Sequence, residues 1–323
     1  MSDACQLCRT GVFDTVSERD RHGKPLKSVV CMGCGSVTND PVPSDGELAA
    51  FYTSDYRIAY KGSASPRMRQ VWRNFGRMEG HLRDNAEFYR DRKSCLDLGS
   101  GSGEFMFMAA RMGIECVGVE PNRPYAEYTR ETLGLTVAIQ TLEETQFAPA
   151  SFDLIRLSHV MEHMRDPVRS LTALREWLTD DGLIYIEVPN ILFDAAHKRR
   201  GSIFHYGHIF NFNPWTFRAA ARLSGFEEHP ASIVRNVQMT GAFFRKGRHI
   251  DPSEAQNPEN AMHVRNALRR HHMRMLPEPD NASALARGVS MLRMRISERV
   301  KSRRFVTPRQ IADHFAARIG VAA

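Results

Sequence analysis

Three glycines at alternate positions, in Asp97-Leu-Gly99-Ser-Gly101-Ser-Gly103-Glu, constrain this chain more than any other feature. The segment follows the short apolar run Cys95-Leu-Asp-Leu98 and opens the helical stretch 104–111. Glycine takes backbone dihedrals closed to other residues and lets a ligand approach the main chain. The helix start beyond it offers free amides to an anionic group. Seventeen residues past Gly103, the next apolar run ends at Glu120. An acidic side chain there can accept both hydroxyls of a ribose.

The same alternation continues. Residues 153–157 and 183–188 read as strands, and Asp166-Pro167 reads as the cap and first turn of a helix between them. Val168, Leu171, Leu174 and Leu178 form its apolar face, and its end is expected at the turn Asp180-Asp-Gly182. Gly225-Phe226 and residues 238–244 supply closing strands. Strands alternating with helices predict an α/β fold with a doubly wound, mostly parallel sheet. Upstream, residues 46–92 read as a helical connector, with Met68, Val71, Trp72, Phe75 and Met78 at helical spacing. Residues 93–247 hold the α/β domain, and 248–323 a basic helical extension. Within the extension, 251–280 reads as a linker with one short helix. Leu285, Val289, Leu292 and Ile296 then form one stripe, and a last helix from Thr307-Pro308 aligns Ile311, Phe315 and Ile319, with Gly320 past its end.

Charge divides along the same lines. The net charge is +7, and residues 248–323 carry fourteen Lys and Arg against seven Asp and Glu. The body is therefore neutral, and the basic surplus says little about what the α/β domain binds. The apolar stripe is expected to pack on the body or on a second subunit, making a homo-oligomer, with an anionic membrane surface as the alternative. The opening residues Met1-Ser-Asp-Ala lack the basic and apolar run of a secretory signal, and no apolar stretch reaches bilayer length. The expected setting is the cytoplasm, where thiols stay reduced.

In that setting Cys5-x2-Cys8 and Cys31-x2-Cys34 predict structural zinc within a ribbon module over residues 1–45. Two pairs close a tetrahedron and leave no position for water. A module this small has little core, so metal would supply its folding energy. Four unligated thiols are the alternative.

The Asp-x-Gly-x-Gly-x-Gly spacing resembles motif I of class I methyltransferases rather than the Gly-x-Gly-x-x-Gly of dinucleotide sites. Phe147-Ala-Pro-Ala-Ser-Phe-Asp153, followed by Ser158-His159-Val-Met-Glu162-His163, resembles the segment around that family's fourth strand. The resemblance covers residues 94–246. It implies S-adenosylmethionine as cofactor, bound by Asp97 and the loop, with Gly99, Gly101 and Gly103 lining the methionine moiety. Glu120 would hold the ribose, with Pro121 and Asn122 beside it. Thr141 and Leu142 would meet the adenine, and Ser158 would lie near the methionine end. A Rossmann-like domain for another nucleotide is the alternative.

With the four cysteines, the Pro41-Val-Pro43 exit and Phe51-Tyr52-x3-Tyr56, the chain resembles the zinc-ribbon C-methyltransferases of deoxysugar biosynthesis. That resemblance implies a histidine base after the fifth strand, acting on a nucleotide sugar. Phe204-His205-Tyr206-Gly207-His208 matches the stretch, although the family has Glu where Gly207 stands and a second Rossmann-like domain where 76 helical residues follow. His208 is thus the expected base, with His159 a second pocket residue. Histidine suits proton removal near neutral pH. His159-x2-Glu162-His163 joined by His208 also suits a divalent metal, and is similar to the Glu-x2-Glu-His plus distant His of some small-molecule and RNA-end O-methyltransferases.

The expected acceptor is a small molecule, nucleotide-linked in the sugar reading: a sugar, glycan precursor or secondary metabolite, methylated at carbon or oxygen. Methylation of RNA or another nucleic acid, gripped by ribbon and tail, is the competing reading. Against it, no Asn-Pro-Pro-Tyr-like loop to hold a flipped base follows the fourth strand. A non-catalytic adaptor would not need the three glycines and Glu120.

Overall fold

The computed structural model describes residues 4–44, 46–48, 51, 66–198, 201–232, 237–273 and 281–319. Tyr52, Tyr56 and Gly320, and the side chain of Leu285, lie outside the described residues. The chain forms two compact units. One comprises Met1–Phe51, Ala148–Ser151 and Ile155–Met275, the other Tyr52–Phe147, Phe152–Leu154 and Leu276–Ala323.

The chain opens with β1 (Phe13–Arg19), β2 (Pro25–Cys31) and β3 (Val37–Asn39). Asp20 Oδ1 accepts the amides of His22 and Lys24 across the first turn, bringing Phe13 opposite Cys31. Helix α1 (Met68–Asp84) and the single turn α2 (Ala86–Tyr89) follow. Alternation then begins with β4 (Ser94–Leu98), α3 (Glu104–Arg111), β5 (Glu115–Val119), α4 (Arg123–Tyr128) and β6 (Val137–Ala138). It continues with β7 (Phe152–Ser158), α5 (Pro167–Trp177), β8 (Leu178–Pro189) and α6 (Ile191–His197). Next come β9 (Phe210–Asn211), α7 (Pro214–Leu223), β10 (Phe226–Glu228) and β11 (Met239–Lys246). The last helices are α8 (Pro258–Met273), α9 (Asn281–Ser302) and α10 (Pro308–Ile319).

Helix starts follow local rules. Asn122, Asp166 and Asn213 each cap a helix through the side-chain oxygen, and each helix has proline in its first turn. The large sheet has the order β10-β11-β8-β7-β4-β5-β6. Its β4–β5 and β5–β6 pairs are parallel, and β11 runs antiparallel to both neighbours. Strand order reverses at β4, the switch point where open α/β sheets bind ligands. The small sheet, β1-β2-β3-β9, is antiparallel throughout.

Three expectations need correction. Residues 180–182 do not form a turn ending a helix: α5 ends at Trp177, and β8 runs through them from Leu178, whose ψ of 138° is already extended. Residues 258–273 are not a short helix in a linker. They form a helix of 16 residues, and its Val264 and Leu268, both fully buried, pack with Val16, Val30, Val37 and Phe204. The stripe on α9 does not pack on the body of its own chain: Val289, Leu292 and Ile296 are 43, 59 and 54% exposed. Helix α10 does pack. Its Phe315 ring lies 4.8 Å from that of Trp72 and 6.2 Å from that of Phe75.

Candidate functional site

At the carboxyl end of β4 the backbone does what its glycines permit. Gly99, Gly101 and Gly103 have φ of +65, +59 and +78°, all in the left-handed region. Two of them serve different ends. A Cβ on Gly103 would lie 2.5 Å from Thr129 Cγ2, so this position must be glycine for packing. A Cβ on Gly101 would meet nothing nearer than 3.9 Å, leaving an open cradle above the loop. Asp97 is fully buried on β4.

Glu120 is 2% exposed and ties two loops together. The Gly101 amide donates to Oε2 at 2.8 Å, and the Asn122 amide donates to Oε1 at 2.9 Å. Pro121 is exposed beside it, and Asn122 caps α4. Thr141 is exposed and Leu142 half-buried, in a turn where Glu144 accepts the Thr141 amide and Thr145 donates to its carbonyl.

A second group of side chains follows β7. Ser158 Oγ donates to Glu187 Oε1 at 3.1 Å, and Tyr185 donates to Oε2 at 3.0 Å. His159 has φ of +59°, a strained conformation for a side-chain-bearing residue, and its amide donates to the Glu187 carbonyl. Its ring stands between two carboxylates, with Nδ1 3.4 Å from Glu162 Oε1 and Nε2 3.9 Å from Glu187 Oε1. Burial pulls the imidazole pKa down, but Glu162 and then Glu187 outweigh it and hold the pKa above its ordinary value. Glu162 is 1% exposed, and neither of its oxygens has a hydrogen-bond partner. Its carboxylate, a nitrogen of His163 and one of His208 all lie within 4.8 Å of one another. His163 Nδ1 donates to the Gly207 carbonyl, and its Nε2 lies 3.9 Å from Glu162 Oε1.

His208 is pushed well below the usual imidazole range by burial and then by His163 and His205. His205, packed 3.8 Å away ring to ring, is pushed down to about 3, chiefly by burial. Its Nδ1 accepts the Gly207 amide, so it shapes the loop. A Cβ on Gly207 would lie 2.9 Å from the Phe51 ring, so a glutamate there would require that ring to move. Glu187 was not foreseen. Its signal was a carboxylate two residues from Tyr185 in an apolar strand, hence on the same face.

The four cysteines come together as expected. All are at most 4% exposed, and their sulfurs lie within 4.8 Å of one another. Cys5–Cys34 and Cys8–Cys31 are 3.7 and 3.4 Å apart. Sulfurs on a tetrahedral zinc, at about 2.3 Å each, would stand about 3.8 Å apart. The two knuckles repeat one geometry. Arg9 and Gly35, both of positive φ, return their amides to the carbonyls of Cys5 and Cys31. The ribbon also holds the histidine segments. Gln6 donates to the Arg165 carbonyl, Arg165 to the Pro43 carbonyl and Asn39 to the Tyr206 carbonyl, while β3 pairs with β9.

A family model described as a methyltransferase domain matches residues 72–230. A ubiquinone biosynthesis O-methyltransferase of Rhizobium etli is 32% identical over 184 residues, covering 51% of this chain and 73% of that protein. One from Cereibacter sphaeroides is 35% identical over 118 residues, covering 32% of this chain and 48% of its own length. The chain thus spans about half the length of that relative. Among solved structures, a 1,6-didemethyltoxoflavin-N1-methyltransferase of Burkholderia thailandensis is 18% identical with a TM-score of 0.47, covering 66% of this chain and 96% of that one.

Proposed function

Because this chain belongs to the methyltransferase domain family, we propose that it transfers the methyl group of S-adenosylmethionine to an oxygen of a small-molecule acceptor in the cytoplasm. The observation that carries this is the glycine loop, which leaves an open cradle at Gly101 beside the Glu120 carboxylate. In this reading the loop holds the methionine moiety and Glu120 the ribose. The donor is an activated sulfonium, so the protein's remaining work is to orient the acceptor and take its proton. His208, neutral at working pH, is the base; His159 positions the acceptor. Relatives named as O-methyltransferases support oxygen as the acceptor atom. A sugar or a secondary metabolite remains the proposed class, and the neutral body argues against nucleic acid. The four thiols hold structural zinc.

A second reading is favoured by the buried carboxylate of Glu162, whose oxygens accept no hydrogen bond and stand 3.4 Å from His159 and 3.9 Å from His163. With His163 and His208 it would hold a divalent cation, which would polarise an acceptor hydroxyl. The experiment is transfer of labelled methyl from the cofactor to phenols, nucleotide sugars and RNA, with and without chelator. Label on a small molecule supports the proposal, and label on RNA alone ends it. Activity lost in chelator and restored by divalent metal favours the second reading.

A further inference from the structure

Helix α9 turns outward the residues that a helix ordinarily hides. Val289, Leu292, Ile296 and Val300 are 43, 59, 54 and 54% exposed. Their spacing puts them in one stripe. Glu298 and Ser302, on the opposite side by helical geometry, are 7 and 3% exposed. Met291 and Met294, which share that side, are 52 and 49% exposed, so what the helix buries is polar while the continuous apolar stripe faces outward. At 100° per residue, Arg299 borders the stripe on one side and Arg293 on the other, while Arg303 and Arg304 follow directly on the end of the helix. All four arginines are exposed, and none forms an ion pair among the described residues. Arg295 and Lys301 add two cations, and Glu298 is the sole acid between residues 289 and 304.

We propose that this face lies on an anionic lipid bilayer, with the stripe among the acyl chains and the arginines at the headgroup phosphates. Charge decides what covers it. A second copy would bring these arginines against their own kind, with one buried glutamate to answer six cations. The headgroup boundary meets both demands at once, since long arginine stems reach phosphate from a partly immersed helix. The helix rests on the surface: no helix among the described residues is long and apolar enough to cross a membrane. The surface is independent of the methyl-transfer reading, so either can fail alone.

The test is co-sedimentation of the full chain with vesicles of phosphatidylcholine, with or without phosphatidylglycerol. The chain should pellet with the anionic vesicles only, and less as salt rises. Leu292→Ser with Ile296→Ser should abolish pelleting. Arg293→Gln with Arg299→Gln should weaken it roughly 25-fold, about fivefold per charge. These side chains are exposed, so all variants should melt like the parent. A full chain that stays in the supernatant with anionic vesicles overturns the proposal, as does binding undiminished in both variants. So does a dimer, seen by sedimentation, that the Leu292/Ile296 variant dissociates without any vesicle binding.

Discussion

Both oxygens of Glu120 already accept loop amides, so a substitution there acts twice. Glu120→Ala should loosen the Gly101 turn and remove the contact proposed for the ribose. Hydrogen bonds to a charged group contribute about 1.5–3 kcal/mol each. Calorimetry should therefore show S-adenosylmethionine binding weakened at least tenfold, and unchanged affinity would remove Glu120 from the site. The base is tested by pH. A base works deprotonated, and the His208 pKa lies below the ordinary imidazole value. Turnover carried by His208 should hold as pH falls through about 6.5 and decline only below it. His159, with its pKa raised by Glu162 and Glu187, would lose activity from above that point. A midpoint at or above about 6.5 in kcat/KM would transfer the role to His159. His208→Ala should also cut turnover by roughly 100- to 10,000-fold while cofactor affinity holds. The glycines were legible because the backbone alone demands them. Glu187 was not, because its partners Ser158 and His159 meet it only once β7 and β8 are in register. Nor could sequence show that Phe51 fills the space a side chain at 207 would need.

Among the elements, the ribbon and α8 show where sequence reading succeeds and stops. The ribbon was legible because four thiols at this spacing have one common use. Its grip on the histidine segments was not, since Asn39 and Tyr206 are 167 residues apart. That grip predicts what metal loss does. Cys31→Ser should strip zinc by elemental analysis, expose residues 4–44 to protease and lower turnover, while S-adenosylmethionine affinity changes little. Undiminished turnover in zinc-free protein would separate the ribbon from the acceptor side. Helix α8 was hidden by its composition. Its Asn, His and Arg residues suggested a solvated linker, and the stripe of Ala261, Val264 and Leu268 is too short to stand out among them. All three are fully buried. Leu268→Ala should cost about 2–5 kcal/mol in a denaturant melt, the range for a large-to-small core change. A loss under about 0.5 kcal/mol would return α8 to the surface.

For the whole molecule, the extension past residue 247 looks in sequence like an appendage: the strands have ended and the positive charge begins. Its helices nonetheless enter the core of each unit. In one unit, α8 buries Ala261, Val264 and Leu268, while Asn260 donates to the Cys34 carbonyl and Arg265 and Arg269 pair with Asp14. In the other, α10 buries Ile311 and Phe315, Phe315 packs on Trp72 and Phe75, and Arg318 pairs with Glu79. Among its described side chains, α9 between them buries only Glu298 and Ser302. A chain ending at residue 247 would therefore uncover Val16, Val30 and Val37 in one unit and Phe75 in the other, leaving two apolar patches where each unit had a core. Domains of this size are held by margins of about 5–15 kcal/mol. Losing several buried side chains of a few kcal/mol each uses up that margin. The shortened chain should be recovered aggregated, or soluble without a cooperative melt by circular dichroism. Substitutions confined to the outer face of α9 should leave the melt untouched. A soluble shortened chain that melts cooperatively near the parent's temperature would show that both units close without the extension, and that α8 and α10 are not core elements.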